Sequence, residues 1–255
     1  MENKILVLNP IEQKPFQMSS VEIIIPFHGE HAKVLNLMND ISATVTTNRY
    51  LITLVDDGSA NSSFVSQLKS KKIEGIRFLS HDKCKGFGAA VNTALKTPFN
   101  ANIPYVLIMH SDVRIQDLNW LFRLGTTLYN MKAKGVKMVT TLTDNPVVDV
   151  PSLKGTHGEI GNDSVLTDGF VPMYCALAHR QLFQKVGLLM ECPYAGTEVE
   201  EFAWRMRKNG FTQGVCGSSW VHHDGGATLE NFKNNKKVRE ILRKTRESVI
   251  PSLKK

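Results

Sequence analysis

The chain has 255 residues, 42% hydrophobic and 22% charged, enough apolar content for one large core or two halves packed together. No stretch of 18 or more consecutive apolar residues occurs, so no membrane-spanning helix is expected. The start MENKILVLNPIEQKP lacks the basic stretch and long apolar segment of a secretory leader, and none is expected. The net charge is +7 with a pI near 9.2, but residues 233–255 hold nine Lys or Arg against two Glu. That tail alone accounts for the charge, and the basicity says little about the rest of the chain.

VEIIIPF (21–27) is a continuous apolar run, as a buried parallel strand requires, and Pro26 is expected to stop it before the polar HGEH. Val34, Leu37, Met38 and Ile41 then recur at helical spacing. YLITLV (50–55) is a second strand, ended by DDGS. SSFVSQLKS is a short helix candidate, GIRFLS (75–80) a third strand, GFGAAVNTALK a helix with a glycine-rich start, and YVLIM (105–109) a fourth strand. Strands alternating with helices at this spacing predict βαβ units, an α/β fold whose mainly parallel central sheet is flanked by helices. Ligands of such sheets sit beyond the carboxyl ends of the strands, where His28, Asp56, Asp57 and Asp112 fall.

After Asp112 the pattern changes. LNWLFRLGTTLYNMKAKG is an amphipathic helix and KMVTTLT a strand. Residues 144–169, rich in Asp, Gly, Pro and Ser, read as one long substrate-facing loop. FVPMYCALAH reads as a strand, RQLFQKVG as a short helix with a Gly stop, EEFAWRMRKNG as a helix, and QGVCGSSWVHH as a returning strand. Val238, Ile241, Leu242 and Thr245 give the basic tail a narrow apolar stripe that suits docking on the domain, on a partner or on an anionic membrane. The four cysteines are scattered without metal-type spacing and read as free thiols in a reducing, cytoplasmic setting.

Several motifs carry chemistry, each with a plain structural use beside it. LVDDGS places two carboxylates on a turn after a buried strand: an Asp-Gly turn, or an acceptor for a nucleobase N–H or a ribose hydroxyl. KGFGAAVN lacks the third glycine of a dinucleotide fingerprint, since Val91 stands there, and it does not follow the first strand, so hydride transfer is set aside. Its helix start, with Lys85 and Gly86, suits either a phosphate or close packing against the sheet. His110-Ser111-Asp112 is a turn or cap, or offers one carboxylate to a hard cation that also needs other ligands. WVHHDGGAT pairs His222 and His223 before two glycines: a strand histidine and a turn histidine, or a second ligand for that cation, where an imidazole suits manganese better than magnesium. GTEVEEFAWRMRKNG puts Glu198, Glu201 and Arg205 on one helix face, where a carboxylate serves the helix dipole or acts as a general base.

Taken in order, VEIIIPFHGE, LVDDGS, MHSDV, AHRQLFQKVGLL, GTEVEEFAWRMRKNGF and HHDGGAT resemble the motifs of the inverting family 2 glycosyltransferases of GT-A fold, and the last resembles a loop of rhamnosyltransferase-like members. The resemblance spans residues 21–228. It implies a GT-A domain over 1–229, with a nucleotide-sugar half to about residue 112 and an acceptor half beyond it, followed by a basic tail over 230–255. It further implies that Pro26, Phe27, His28, Asp56, Asp57, Lys85, Gly86 and Ser111 hold the nucleotide sugar. Asp112 and His223, the latter followed by Gly226 and Thr228, would hold Mn2+ or Mg2+ on the diphosphate. Glu198, or failing that Glu201, would take the proton from an acceptor hydroxyl. Three positions depart from the family pattern: His110 replaces the first acid of the metal motif, Cys84 stands where Asn is common, and Val199 occupies the usual place of the catalytic Asp.

The expected partners are a UDP- or dTDP-linked donor and a glycan, lipid-linked or protein acceptor. The expected setting is the cytoplasm, with the face of a membrane as an option through the tail. A catalytically degenerate sugar-nucleotide or glycan binder of the same fold is the alternative. Nucleic acid is not an expected partner, because the tail lacks aromatic residues interleaved with its basic ones to stack on bases.

Overall fold

The run VEIIIPF becomes strand β2 (Val21–Phe27), buried at all seven positions. Ile23 and Ile25 point into one core, and Ile24 points into another on the opposite face. This period-two division is what a sheet covered on both sides demands of its central strands. In this computed structural model the described residues are 5–7, 20–45, 50–60, 64, 66, 74–145, 163–166, 170–192, 197–225, 240, 243, 244 and 247.

The remaining elements, in chain order, are β1 (Ile5–Val7, preceding β2), α1 (His31–Thr44), β3 (Tyr50–Asp56), β4 (Ile76–Ser80), α2 (Phe87–Lys96), β5 (Tyr105–Met109), β6 (Val113–Arg114), α3 (Trp120–Asn130), β7 (Val136–Thr143), β8 (Ser164–Leu166), β9 (Cys175–His179), α4 (Gln181–Val186), α5 (Thr197–Lys208) and β10 (Thr212–His223). A 3-10 turn at Lys132–Lys134 links α3 to β7. The strands form one ten-stranded sheet in the order β1-β8-β10-β7-β9-β5-β2-β3-β4, with β6 paired to β10.

Pairing is parallel across β4, β3, β2 and β5, as expected of the first half. The second half is mixed. β7 and β10 are parallel, but β9 lies antiparallel between β5 and β7, and β8 and β1 add antiparallel edges. β2 also runs past Pro26 to Phe27, because pairing with β5 has ended at Ile24 and a missing N–H does little damage there.

Two segments differ from the sequence expectation. The long loop expected over 144–169 contains strand β8, a Ser-Val-Leu tripeptide too short to show a period; residues 146–162 and 167–169 lie outside the described set. The N-terminal strand β1 had no periodic signature either. The helix expected around SSFVSQLKS is described only at Phe64 and Ser66, both helical. Tail residues 240, 243, 244 and 247 are also helical, with Lys244–Glu240 and Arg243–Glu247 pairs at 2.7 and 2.8 Å; the rest of the tail lies outside the described residues.

One core lies under α1 and α3, through Val34, Leu37, Ile41, Trp120, Leu121, Leu124 and Leu128. The other lies under α2, α4 and α5, through Ala90, Val91, Leu182, Phe183, Phe202 and Met206. Each fully buried Ile or Leu contributes roughly 1.5–3 kcal/mol. The glycine-rich start of α2 serves this packing: a Cβ on Gly88 would stand 2.3 Å from the Met190 carbonyl oxygen. Beside it, the Asn92 amide binds both the Leu189 N–H and the Leu189 carbonyl, at 3.0 and 2.8 Å, acting as a section of backbone.

At the amino end of β2, inside the apolar run, Glu22 is fully buried. It accepts from Arg180 at 2.6 Å, Arg77 at 3.0 Å and the Thr53 hydroxyl at 2.5 Å. This ionic knot joins β2, β3, β4 and the end of β9 at the rim opposite the candidate site.

Candidate active site at the carboxyl rim

The carboxyl ends of β2, β3, β5 and β10 open on one rim. At β3, Asp57 is 5% exposed and its carboxylate accepts four hydrogen bonds: from His81 Nδ1 (2.7 Å), the Cys84 thiol (3.2 Å), Lys85 N (2.9 Å) and Gly86 N (2.8 Å). Burial opposes its charge, but the Lys85 N–H and the other donors outweigh burial and hold its pKa below the ordinary value. The resemblance implies a grip on base or ribose; in the structure each oxygen of this carboxylate accepts two hydrogen bonds from the protein. Asp57 thereby fastens the β3 turn to the start of α2 through the Lys85 and Gly86 amides. Cys84, where the family often has Asn, keeps a donor in the same place.

The turn itself is tight. A Cβ on Gly58, at φ 72°, would fall 2.3 Å from the Lys83 carbonyl carbon. Asp56 is buried and accepts from Ser59 N at 2.9 Å; Ser59 in turn accepts from Gly29 N at 2.7 Å. His28 is exposed, with Nδ1 2.8 Å from the Asp57 carbonyl. The Phe27 ring does not line an open pocket: it is 4% exposed and packs edge-on against His31 and Phe64. Pro26 is buried in the strand beside it, and Ser111 is 7% exposed between His110 and Asp112.

The second half of the rim is made by β5, β6 and β10. β6 pairs with the end of β10, setting His223 opposite Val113, and Asp224 N donates to the Asp112 carbonyl at 3.2 Å. His223 Nε2 therefore lies 3.1 Å from Asp112 Oδ1 and 3.3 Å from His110 Nδ1. One ligand atom from each of His110, Asp112 and His223 falls within 4.8 Å of the others. His223 is 3% exposed and its ring stacks on Tyr174, whose hydroxyl donates to the Thr141 carbonyl at 2.6 Å.

Burial opposes the charge on Asp112, but the hydrogen bond from His223 and the neighbouring His110, His223 and Lys33 hold its pKa at about 2. Burial, followed by the field of His223, pushes His110 down to about 4. At neutral pH the set is one carboxylate beside a neutral His110 imidazole. Two imidazoles and a carboxylate are a donor set for borderline divalent ions. Spacings of 3.1 and 3.3 Å are close to the roughly 3 Å between adjacent ligands that each lie about 2.1–2.2 Å from one ion.

Around this cluster, His222 Nδ1 lies 2.5 Å from Asp144, and that hydrogen bond, outweighing burial, raises the pKa of His222. The Asn145 amide donates to the His223 and Asp224 carbonyls at 2.9 and 3.2 Å, fixing the end of β10. Gly226 and Thr228 lie outside the described residues.

The two halves of the rim touch. The Phe87 ring at the start of α2 meets His110 edge-on at 5.0 Å, and Lys33 of α1 reaches Asp224 at 3.5 Å. α5 runs antiparallel to β10 and so returns its amino end toward this rim. There Glu198 is 1% exposed and Val199 packs into the core. Glu201 is bound by both ends of the Arg205 guanidinium, at 2.6 and 2.8 Å, and Arg205 also donates to the Val186 and Leu188 carbonyls at 2.6 Å. That carboxylate ties α5 to the segment after α4.

Residues 22–187 match the glycosyl transferase family 2 domain, well over half of the chain. The chain belongs to glycosyl transferase family 2. Its described sheet and flanking helices have the GT-A fold. A mannosyltransferase from Pyrobaculum calidifontis, determined with GDP-Man and Mn2+, superposes with a TM-score of 0.64 at 14% identity, over 93% of this chain and 72% of that one. A mycobacterial protein superposes with a TM-score of 0.59, also at 14% identity, over 91% of this chain and 76% of the other. At that identity the likeness speaks for the fold. No curated protein sequence matches the chain significantly.

Sequence reasoning missed the part played by His110. It counted the residue as a lost carboxylate, although an imidazole two positions before Asp112 and facing His223 is itself a ligand type. It had no means of seeing His81, Tyr174 or Asp144, which reach the rim only through the tertiary fold.

Among the described residues no helix is long and apolar enough to cross a membrane, and the four cysteines form no disulfide with one another.

Proposed function

We propose that this family 2 glycosyltransferase moves a sugar from a nucleoside-diphosphate donor to a hydroxyl acceptor in one displacement, with inversion at the anomeric carbon. The observation that supports this most is the convergence of His110, Asp112 and His223 beside the start of α2 on one rim. A divalent cation held by those three residues would supply Lewis-acid neutralisation of the departing diphosphate. In this reading Asp57 holds the β3 turn against the start of α2 and so shapes the nucleotide pocket, with Asp56, His28 and Ser111 beside it. Glu198 takes the proton as the acceptor oxygen attacks the face opposite the leaving group. The GT-A unit covers residues 1–229, and the tail 230–255 lies outside it. Mn2+ suits the donor set better than Mg2+ because two of the three ligands are imidazoles.

The test is a panel of UDP-, dTDP- and GDP-linked sugars, scored by thermal shift with and without Mn2+ and then by product formation. The GDP-linked donors are included because the P. calidifontis neighbour was determined with GDP-Man. The expected result is a metal-dependent rise in Tm with one donor class, since binding to the folded state raises stability by mass action. Slow hydrolysis of that donor is also expected. Glu198→Gln should bind the same donor and lose transfer. Full transfer in that variant would remove Glu198 from the mechanism. Donor binding with no hydrolysis or transfer in the wild type would leave the chain a binder that has lost catalysis.

A further inference from the structure

The rim opposite the candidate active site carries a cleft of about 250 Å3 where the amino ends of β5 and β7 meet the carboxyl end of β9. Tyr105 is paired with His179 across β5 and β9, so the cleft lies five residues, or roughly 16 Å of strand, from His110. Lys132, Lys137, Lys185, His179, Tyr129 and Phe211 are among its lining residues. Lys137 and Lys185 flank the Phe211 ring at 5.9 and 6.0 Å, so one aromatic side chain brings two ammonium groups into the cleft.

No carboxylate among the described residues forms an ion pair with these three lysines. Burial first, and then the fields of Lys137, Lys132 and Lys185, lower the pKa of His179. Its Nδ1 accepts from Gln181 N at 3.3 Å, which leaves Nε2 to carry the proton as a donor. Three like charges gathered around one concavity repel one another, and an anion seated among them relieves that repulsion. Ammonium groups with a neutral imidazole donor suit a compact polyanion with several acceptor oxygens.

We propose that this cleft is a second binding site, separate from the candidate active site, for a phosphate-bearing ligand. The phosphate group is the shared chemistry, whether free in solution or carried on a lipid headgroup.

The full chain is tested in metal-free buffer without donor, so the outcome does not depend on the glycosyl-transfer reading. Inorganic pyrophosphate is titrated by calorimetry. Phosphatidylcholine vesicles, with and without phosphatidic acid, are tested by co-sedimentation. Saturable binding of at least one probe is expected. It should weaken about tenfold or more in the double variant K137E/K185E and stay unchanged in Asp112→Asn. K254E/K255E makes the same change of net charge in the tail and should leave the affinity near that of the wild type. Should K137E/K185E lower Tm, K137Q/K185Q repeats the comparison with a milder change. Pyrophosphate binding identifies a soluble phosphate ligand; binding only to the phosphatidic acid vesicles identifies a lipid headgroup. Absence of saturable binding to both probes, or an equal loss in the tail variant, overturns the proposal.

Discussion

His110 sets an imidazole beside a second imidazole and a carboxylate. Read against the family pattern it is a missing acid; in the structure its Nδ1 faces His223 Nε2 at 3.3 Å beside Asp112. Two imidazoles and one carboxylate favour softer divalent ions than an all-carboxylate site does. His110→Asp is therefore expected to shift preference from Mn2+ toward Mg2+, and His110→Ala to weaken Mn2+ binding about tenfold or more. Titration of free Mn2+ by its EPR signal checks both; an unchanged Mn2+ affinity in His110→Ala would remove that residue from the cluster. Asp57 makes the opposite point, since a residue that looked like a ligand is occupied by the protein itself. Its pKa is lowered on folding, so its contribution to stability is complete above the unfolded value of 3.8 and lost as pH falls through the lower folded value. Asp57→Asn should cost about 1–3 kcal/mol at neutral pH. It should also flatten the fall of Tm with acidification below pH 3.8, measured by calorimetry across the acid range.

Helix α5 brings two glutamates toward one rim and gives them different work. Glu201 is bound at both oxygens by Arg205, which also caps the Val186 and Leu188 carbonyls, so this pair connects two elements. Glu201→Gln is expected to lower stability by about 1–3 kcal/mol while transfer persists in whatever fraction remains folded. Glu198→Gln should do the reverse. A denaturant melt and a kcat measurement on each variant separate the two roles, and loss of kcat in well-folded Glu201→Gln would reassign the base. The start of α2 is governed by contact as well: Gly88→Ala sets a Cβ 2.3 Å from the Met190 carbonyl and should cost about 1–3 kcal/mol, readable in the same melt.

For the molecule as a whole, the two rims of the sheet divide the polar chemistry. The carboxyl rim carries the His–Asp–His cluster and the β3 turn fastened to the start of α2, and the amino rim carries the Glu22 knot and the basic cleft. Glu22 joins four strands through Arg77, Arg180 and Thr53 with no access to solvent. Removing one member of such a buried set leaves an uncompensated charge, a loss of about 3–5 kcal/mol. Glu22→Ala should therefore lower the unfolding free energy by that amount, with urea unfolding as the measurement. A loss below about 1 kcal/mol would show that the arginines find other partners.

The apolar runs of β2, β3 and β5 and the helical spacing of α1, α3 and α5 were legible in the chain, because burial on both faces or on one stripe leaves a period that local reading detects. The carboxyl-rim location of Asp56, Asp57 and Asp112 followed from the parallel order of those strands. Whether Asp57 faces a ligand or the start of α2, whether Glu201 is a base or half of an ion pair, and whether His110 counts as a ligand depended on residues 4 to 113 positions away. So did the antiparallel placement of β9 and the pairing of the short strands β1 and β8, which are too brief to carry a period. Local periodicity reports which side of an element is buried. Only the packed fold decides which donor reaches which acceptor, because those distances are set by elements that meet in space and not along the chain.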